Sequence, residues 1–193
     1  MKKHAITLSM LLVFGFIITA CATPPTEEMD RAHDAVIRAE NDANAVTYAG
    51  NLLVRARDAL TRMQSEADAR RFDAARNFAA EAVSTAERAI TEGMAAAARA
   101  RAEATNLVDS LAAPLAETTT ALGAAQAAGD LALDFDTLAW DLDSAYQIYD
   151  NARESIAANN YRDAIAQGQN VRALLSDINS QINEAVQIAV ARK

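Results

Sequence analysis

An alanine-led apolar seam, repeating every three or four residues, runs through almost the whole chain beyond residue 26 and dictates what it can fold into. Its longest run is Phe72, Ala75, Ala79, Ala82, Ala86, Ala89, Gly93, Ala96 and Ala100. Alternating steps of three and four put every member on one stripe of an α-helix, whereas a half-buried strand needs steps of two. Alanine is the best helix former, and only six glycines and three prolines stand among 193 residues, so little can interrupt the helices. Seams of this kind bury by packing helix on helix at shallow angles. The expected class is all-α: an elongated antiparallel bundle of long Ala-rich helices.

The punctuation predicts the order of elements. Thr26 is placed to cap a first helix, with Glu27 and Glu28 in its first turn and a seam of Met29, Ala32, Val36, Ala39, Ala43 and Val46. Tyr48-Ala49-Gly50 marks a break. A second helix carries Ala49, Leu53, Ala56, Leu60, Met63 and Ala67, and the phase shift over Asp68 to Arg71 predicts a tight turn. The long third pattern starts at Phe72, is widened by Val83, Ile90, Leu107 and Leu111, and should run to about Ala113, where Pro114 ends it. Unbroken, it would be about 60 Å long. A weaker helix passes Leu122 and Ala128 and stops at Gly129-Asp130. Asp134-Phe135-Asp136 then caps a helix bearing Leu138, Leu142, Ala145, Tyr149, Ala152 and Ile156. Asn159-Asn160 suits a turn. The last helix shows Tyr161, Ala164, Gly168, Val171, Leu175, Ile178, Ile182, Ala185 and Ala189.

The two halves repeat. Pro25 and Pro114, and Phe72 and Tyr161, are each separated by 89 positions, and the same shift carries the seams of one half onto those of the other. This predicts a duplicated three-helix unit, 27–113 and 114–193, packed as one bundle. Phe135, Trp140, Tyr146, Tyr149, Tyr161 and a Leu/Ile run give the second half the more stable expected core.

The N-terminus opens with Lys2 and Lys3, passes through the apolar run Leu8 to Ile18, and reaches Ile18-Thr19-Ala20-Cys21, which holds the chain's one cysteine. The run is short for a bilayer span. An uncleaved anchor helix or an ordinary secretory signal are the alternatives, but the segment resembles a bacterial lipoprotein signal peptide ending in a lipobox. The resemblance implies removal of residues 1–20, diacylglycerol on the Cys21 thiol and acylation of the new N-terminus. Ala22 is not the aspartate associated with inner-membrane retention, so the implied location is the outer membrane, facing the periplasm. Residues 21–26 would then be the lipidated cysteine and its tether, Thr23-Pro24-Pro25-Thr26, spanning at most about 14 Å. Setting Lys2 and Lys3 aside takes the formal charge from −8 to −10. Such an acidic body repels phosphate backbones and anionic headgroups, which argues against nucleic acid and leaves membrane contact to the lipid.

The hairpin that follows, with Tyr48-Ala49 before one helix and Phe72-Asp73-Ala74-Ala75 opening the next, resembles a group of small bacterial envelope lipoproteins known as a domain of unknown function. That similarity covers roughly Thr26 to Glu92 and implies a periplasmic helical hairpin without known catalysis. The aromatic-x-x-Ala turn is also similar to tetratricopeptide hairpins, although the helix spacing departs from that repeat.

Candidate reactive groups are few. His33 has Asp34 beside it but no second histidine or cysteine for a metal or triad. Asp130, Asp134, Asp136, Asp141 and Asp143 are dense but lack the order of a calcium loop, so capping and a solvated face account for them. Arg70, Asp73 and Arg76 read as surface pairs. No Gly-rich phosphate loop and no Ser/His/Asp set is present. Tyr48, Trp140, Tyr146 and Tyr149 are candidates for a ligand groove, with core or rim packing as the alternative. The chain closes on Arg192-Lys193, a basic end similar to that of Braun-type lipoproteins, in which the final lysine joins peptidoglycan. The resemblance implies Lys193 as an attachment point, while cations complementing a helix C-terminus are the plainer reading. The functional expectation is a non-enzymatic outer-membrane lipoprotein without cofactor or metal, acting as a scaffolding or protein-interaction module through an envelope protein partner or self-association. A lipid or small-ligand binding module and a peptidoglycan tether through Lys193 are the alternatives.

Overall fold

The computed structural model describes residues 23–129 and 131–192, and all the regular structure in them is α-helix. Residues 1–22, with the signal segment and Cys21, lie outside the described residues, as do Asp130 and Lys193. Contacts divide the chain into two units, Met1–Thr91 and Glu92–Lys193. The division falls inside a long helix rather than at Pro114.

The N-terminal unit holds α1 (Thr26–Asn41), α2 (Ala43–Tyr48), α3 (Gly50–Asp68) and the first part of α4 (Phe72–Asp109). Thr26 is not the cap. Pro25 takes that position without a side-chain hydrogen bond, its ring is fully buried, and its carbonyl accepts from the Met29 N–H at 3.0 Å. Packing of the ring, rather than a hydroxyl, sets the helix start. Glu27 and Glu28 do lie in the first turn. The first seam is buried through Ala39 and then ends early. Asp42 is extended, and its carboxylate accepts from the Ala45 N–H at 2.8 Å to begin α2. The side chain thus competes with helical continuation and rotates Ala43 and Val46 into solvent. Ala49 makes the second break, as expected. The core is mostly alanine (Ala32, Ala35, Ala39, Ala56, Ala82, Ala86), with Val36, Leu52, Leu53 and Met63 as its larger members.

The C-terminal unit holds the remainder of α4, α5 (Ala112–Ala128), α6 (Phe135–Ala157) and α7 (Tyr161–Ala191). The helix α4 is continuous over 38 residues, about 57 Å at 1.5 Å per residue. It ends at Asp109, short of Ala113, and Pro114 does not stop it. Pro114 sits in the first turn of α5, where a proline costs no hydrogen bond because those N–H groups have no helical partner. Asp134 caps α6, accepting from the Thr137 N–H at 3.2 Å and its hydroxyl at 2.9 Å. The core here is Leu111, Leu115, Leu138, Leu142, Val171, Leu175 and Ile178. Near the start of α7, Gly168 lets the backbone approach Leu107, whose Cγ and Cδ2 stand 2.9 Å from where a Cβ would be.

The 89-residue shift holds best across the two helical turns. Among the described residues, Arg70 and Asn159 are the non-glycine residues with positive φ, at 57° and 62°. Arg71 donates to the Glu66 carbonyl and Asn160 to that of Ser155, both at 2.8 Å, and the neighbouring bonds match in the same way. The buried positions Ala75, Ala79, Ala82, Ala86 and Ala89 correspond to Ala164, Gly168, Val171, Leu175 and Ile178, all buried. The correspondence weakens in the first helix of each half. Ala35 and Ala39 are buried in α1, while Ala124 and Ala128 are exposed in α5; His33 is exposed, while Leu122 is buried. Val36 and Ala125 are both buried, but the burial of α5 is otherwise rotated relative to that of α1, so the seams of these two helices coincide only in part.

Candidate functional site

Turns and helix ends place most of the polar chemistry. At the first turn, Glu66 receives both the Nε and Nη2 of Arg71, the latter at 2.9 Å, and this pairing holds the Glu66 carboxyl below its usual range. The bonds from Thr137 do the same for Asp134. Arg57 pairs with Glu40 across α3 and α1. Arg76 bridges Asp73 at 3.0 Å and Glu28 at 3.5 Å, tying α4 to α1. These pairs are largely exposed and act as weak, solvent-screened surface staples.

His33 is exposed on α1 and borders an open groove with Leu60, Thr61, Gln64, Ser65 and Asp68 of α3, of about 540 Å³. Of the acidic segment, Asp134 is a cap and Asp136 lies in the first turn of α6, where the dipole favours it. Asp143 accepts from Gln147 at 2.8 Å. Among the described residues, no group of three or more His, Cys, Asp or Glu side chains could hold a metal ion.

The four candidate aromatics fall in different units: Tyr48 in the N-terminal one, the others on α6. Trp140 is 70% exposed. The Tyr146 hydroxyl meets that of Thr119 at 3.0 Å, and Tyr149 packs at the core edge under the Arg153 guanidinium, 5.9 Å from its ring centre. Tyr146 and Tyr149 therefore serve packing between helices, and the cavities described are lined by other residues. The most apolar of these opens in the C-terminal unit between α5 and α7. Ala121, Ala124, Ala128, Leu131, Ile182 and Val186 line about 400 Å³, with Val190, 68% exposed, at its rim. The alanines of α5 and the valines near the end of α7 hinted at it, but a periodic seam does not say which of its members stay uncovered.

A partly buried polar pair was also hidden from sequence reasoning. Thr118 is 0% exposed, and its hydroxyl accepts from Asn179 Nδ2 at 2.7 Å inside a Leu/Ile core. The same Nδ2 donates to the Leu175 carbonyl at 2.8 Å. Among the described residues, no helix is long and apolar enough to cross a membrane.

Residues 27–105 match the family model described as Domain of unknown function (DUF4398), which takes in the helices of the N-terminal unit and continues along α4. The match is less than half of the chain and extends beyond the Glu92 limit expected from the residue pattern. No curated protein and no solved structure matches the chain.

Proposed function

We propose that this chain is a lipoprotein of the bacterial outer membrane, anchored through Cys21 and facing the periplasm, where its helices serve as a non-catalytic scaffolding or protein-interaction module. The observation that carries the reading is the lipobox-like Ile18-Thr19-Ala20-Cys21 standing five residues before α1. A tether that short keeps the start of the first helix within about 18 Å of Cys21. Acyl chains contribute about 0.8 kcal/mol per buried methylene, so a multiply acylated Cys21 anchors stably. The DUF4398 match over residues 27–105 names neither an activity nor a location. The open apolar groove between α5 and α7 offers a surface for a partner.

Metabolic labelling with an alkyne fatty acid tests the anchor. Cys21 in the native chain should take the label and fractionate with the outer membrane, and Cys21→Ala should do neither. Labelling that persists in Cys21→Ala overturns the anchor. Crosslinking in intact cells tests the scaffold, since repeated failure to recover a defined protein partner or a self-adduct overturns it. The same preparation, digested with muramidase, reports on Lys193: a muropeptide on the C-terminal peptide would make the protein a covalent peptidoglycan tether as well.

A further inference from the structure

The helix α5 has alanine at eight of its 17 positions and the left-handed Gly129 at its end, but lacks the side-chain caps and ion pairs that hold other helices together. Leu111 at its N-cap makes no side-chain bond, no acid stands in its first turn and no base in its last. Glu117 is its one ionisable side chain, so it has no ion pair along its own surface. Thr118, Thr119 and Thr120 follow in a row, β-branched residues that disfavour helix. The hydroxyls of Thr119 and Thr120 fold back on the Leu115 and Ala116 carbonyls at 2.8 and 2.9 Å, a bond that slightly loosens helical backbone. Gly123 sits in its middle, where a Cβ would meet open space, so no close approach requires the glycine.

Its tertiary hold is thin as well. Leu115 and Leu122 are its only large buried side chains, beside Thr118 and Ala125. Its C-terminal half borders the open groove with α7. What remains is polar: Thr118 to Asn179 of α7, and Thr119 to Tyr146 of α6, two adjacent threonines gripping two neighbours. By contrast α6 is capped by Asp134, and α6 and α7 share Leu138, Leu142, Val171, Leu175 and Ile178. The segment is bounded by the turn at Ser110-Leu111 and by Gly129 at φ 72°. A turn and a left-handed glycine are natural places for a helix to swing without disturbing its neighbours.

We propose that α5 is a releasable strap of the C-terminal unit: it undocks as one segment between Leu111 and Gly129, with the two threonine clasps as its catch, and release uncovers the Leu/Ile face that α6 and α7 present to it. The property belongs to the chain alone and stands whether or not the scaffolding reading does.

Amide hydrogen exchange of the full chain, read by mass spectrometry, tests it. The amides of α5 should exchange at least about ten-fold faster than the central amides of α6 and α7. Gly123→Ala should slow exchange in α5 about two- to five-fold and leave α6 and α7 unchanged. Tyr146→Phe, which removes only a hydroxyl at a partly exposed site, should speed exchange in α5 alone by about two- to ten-fold. Equal protection across α5, α6 and α7 overturns the proposal. So does a response to either variant that is shared by all three helices, because that would mean α5 opens only with the whole unit.

Discussion

At the scale of single residues, the two turns make the sharpest statement. Both Arg70 and Asn159 hold left-handed backbone at the same place in the repeat, but they are not equally suited to it. Asparagine tolerates that region, while arginine carries the full Cβ penalty. Arg70→Gly is therefore expected to raise stability by about 0.5–1 kcal/mol, and Asn159→Gly, which also removes the acceptor of the Tyr161 hydroxyl at 2.6 Å, to lower it by about 0.5–1 kcal/mol, both read from urea midpoints. Asn159 was legible in the sequence because its type announces its conformation. Arg70 was legible only as a phase shift, since nothing about an arginine foretells positive φ. Gly168 presents the opposite case. A Cβ there would stand 2.9 Å from Leu107, and the branch carbon Cγ cannot yield as a chain end would. Gly168→Ala should cost about 1–2 kcal/mol in the same assay, whereas the corresponding residue of the first half is already Ala79.

At the scale of elements, each helix shows a different balance between its own sequence and its surroundings. Asp134 sets the start of α6 by its own chemistry, and the expected cap is the observed one. Asp134→Ala should lower the thermal midpoint by about 2–4 °C at pH 7. The sign with pH follows from the depressed carboxyl. A group whose folded pKa lies below its unfolded value contributes fully above the unfolded value and loses that contribution as pH falls through the folded one. The midpoints of the variant and the parent should therefore converge as pH falls below the ordinary aspartate range, and a difference that persists in strong acid would assign the effect to packing instead. The helix α1 starts where a buried proline ring dictates, and Thr26, a good cap by type, is left as an ordinary first-turn residue. Asp42 illustrates why the first seam could not be followed by periodicity alone. The apolar spacing continues to Val46, yet one carboxylate bonding to a nearby N–H breaks the helix and turns the last two seam residues outward. In α5, alanine supplies helix propensity, but the apolar pattern is weak and few large side chains hold the helix in place.

At the scale of the whole molecule, the two units differ in what fills their cores rather than in how their turns are made. The N-terminal core is built on alanine, which brings helices close but removes little apolar area from water, while the C-terminal core buries leucine, isoleucine and valine at about 1.5–3 kcal/mol each. In native-state hydrogen exchange of the intact chain, the central amides of α3 should therefore open at lower free energy than those of α6. Equal opening energies would mean that the units melt as one. The sequence alone was sufficient for the all-α class, for the reversals near residues 70 and 159, for the α6 cap and for the 89-residue correspondence of the two turns, because each rests on local chemistry: helical periodicity, alanine propensity, a carboxylate before a helix and asparagine in a turn. The proposed anchor at Cys21 rests on the sequence alone and lies outside the described residues. Tertiary structure decided the rest: which seam members are covered, where α4 ends, how α5 is rotated, and that Thr118 meets Asn179 across 61 residues of chain. Those outcomes depend on which faces meet, and a repeat of small apolar residues leaves that choice open because alanine packs acceptably on almost any side of a helix.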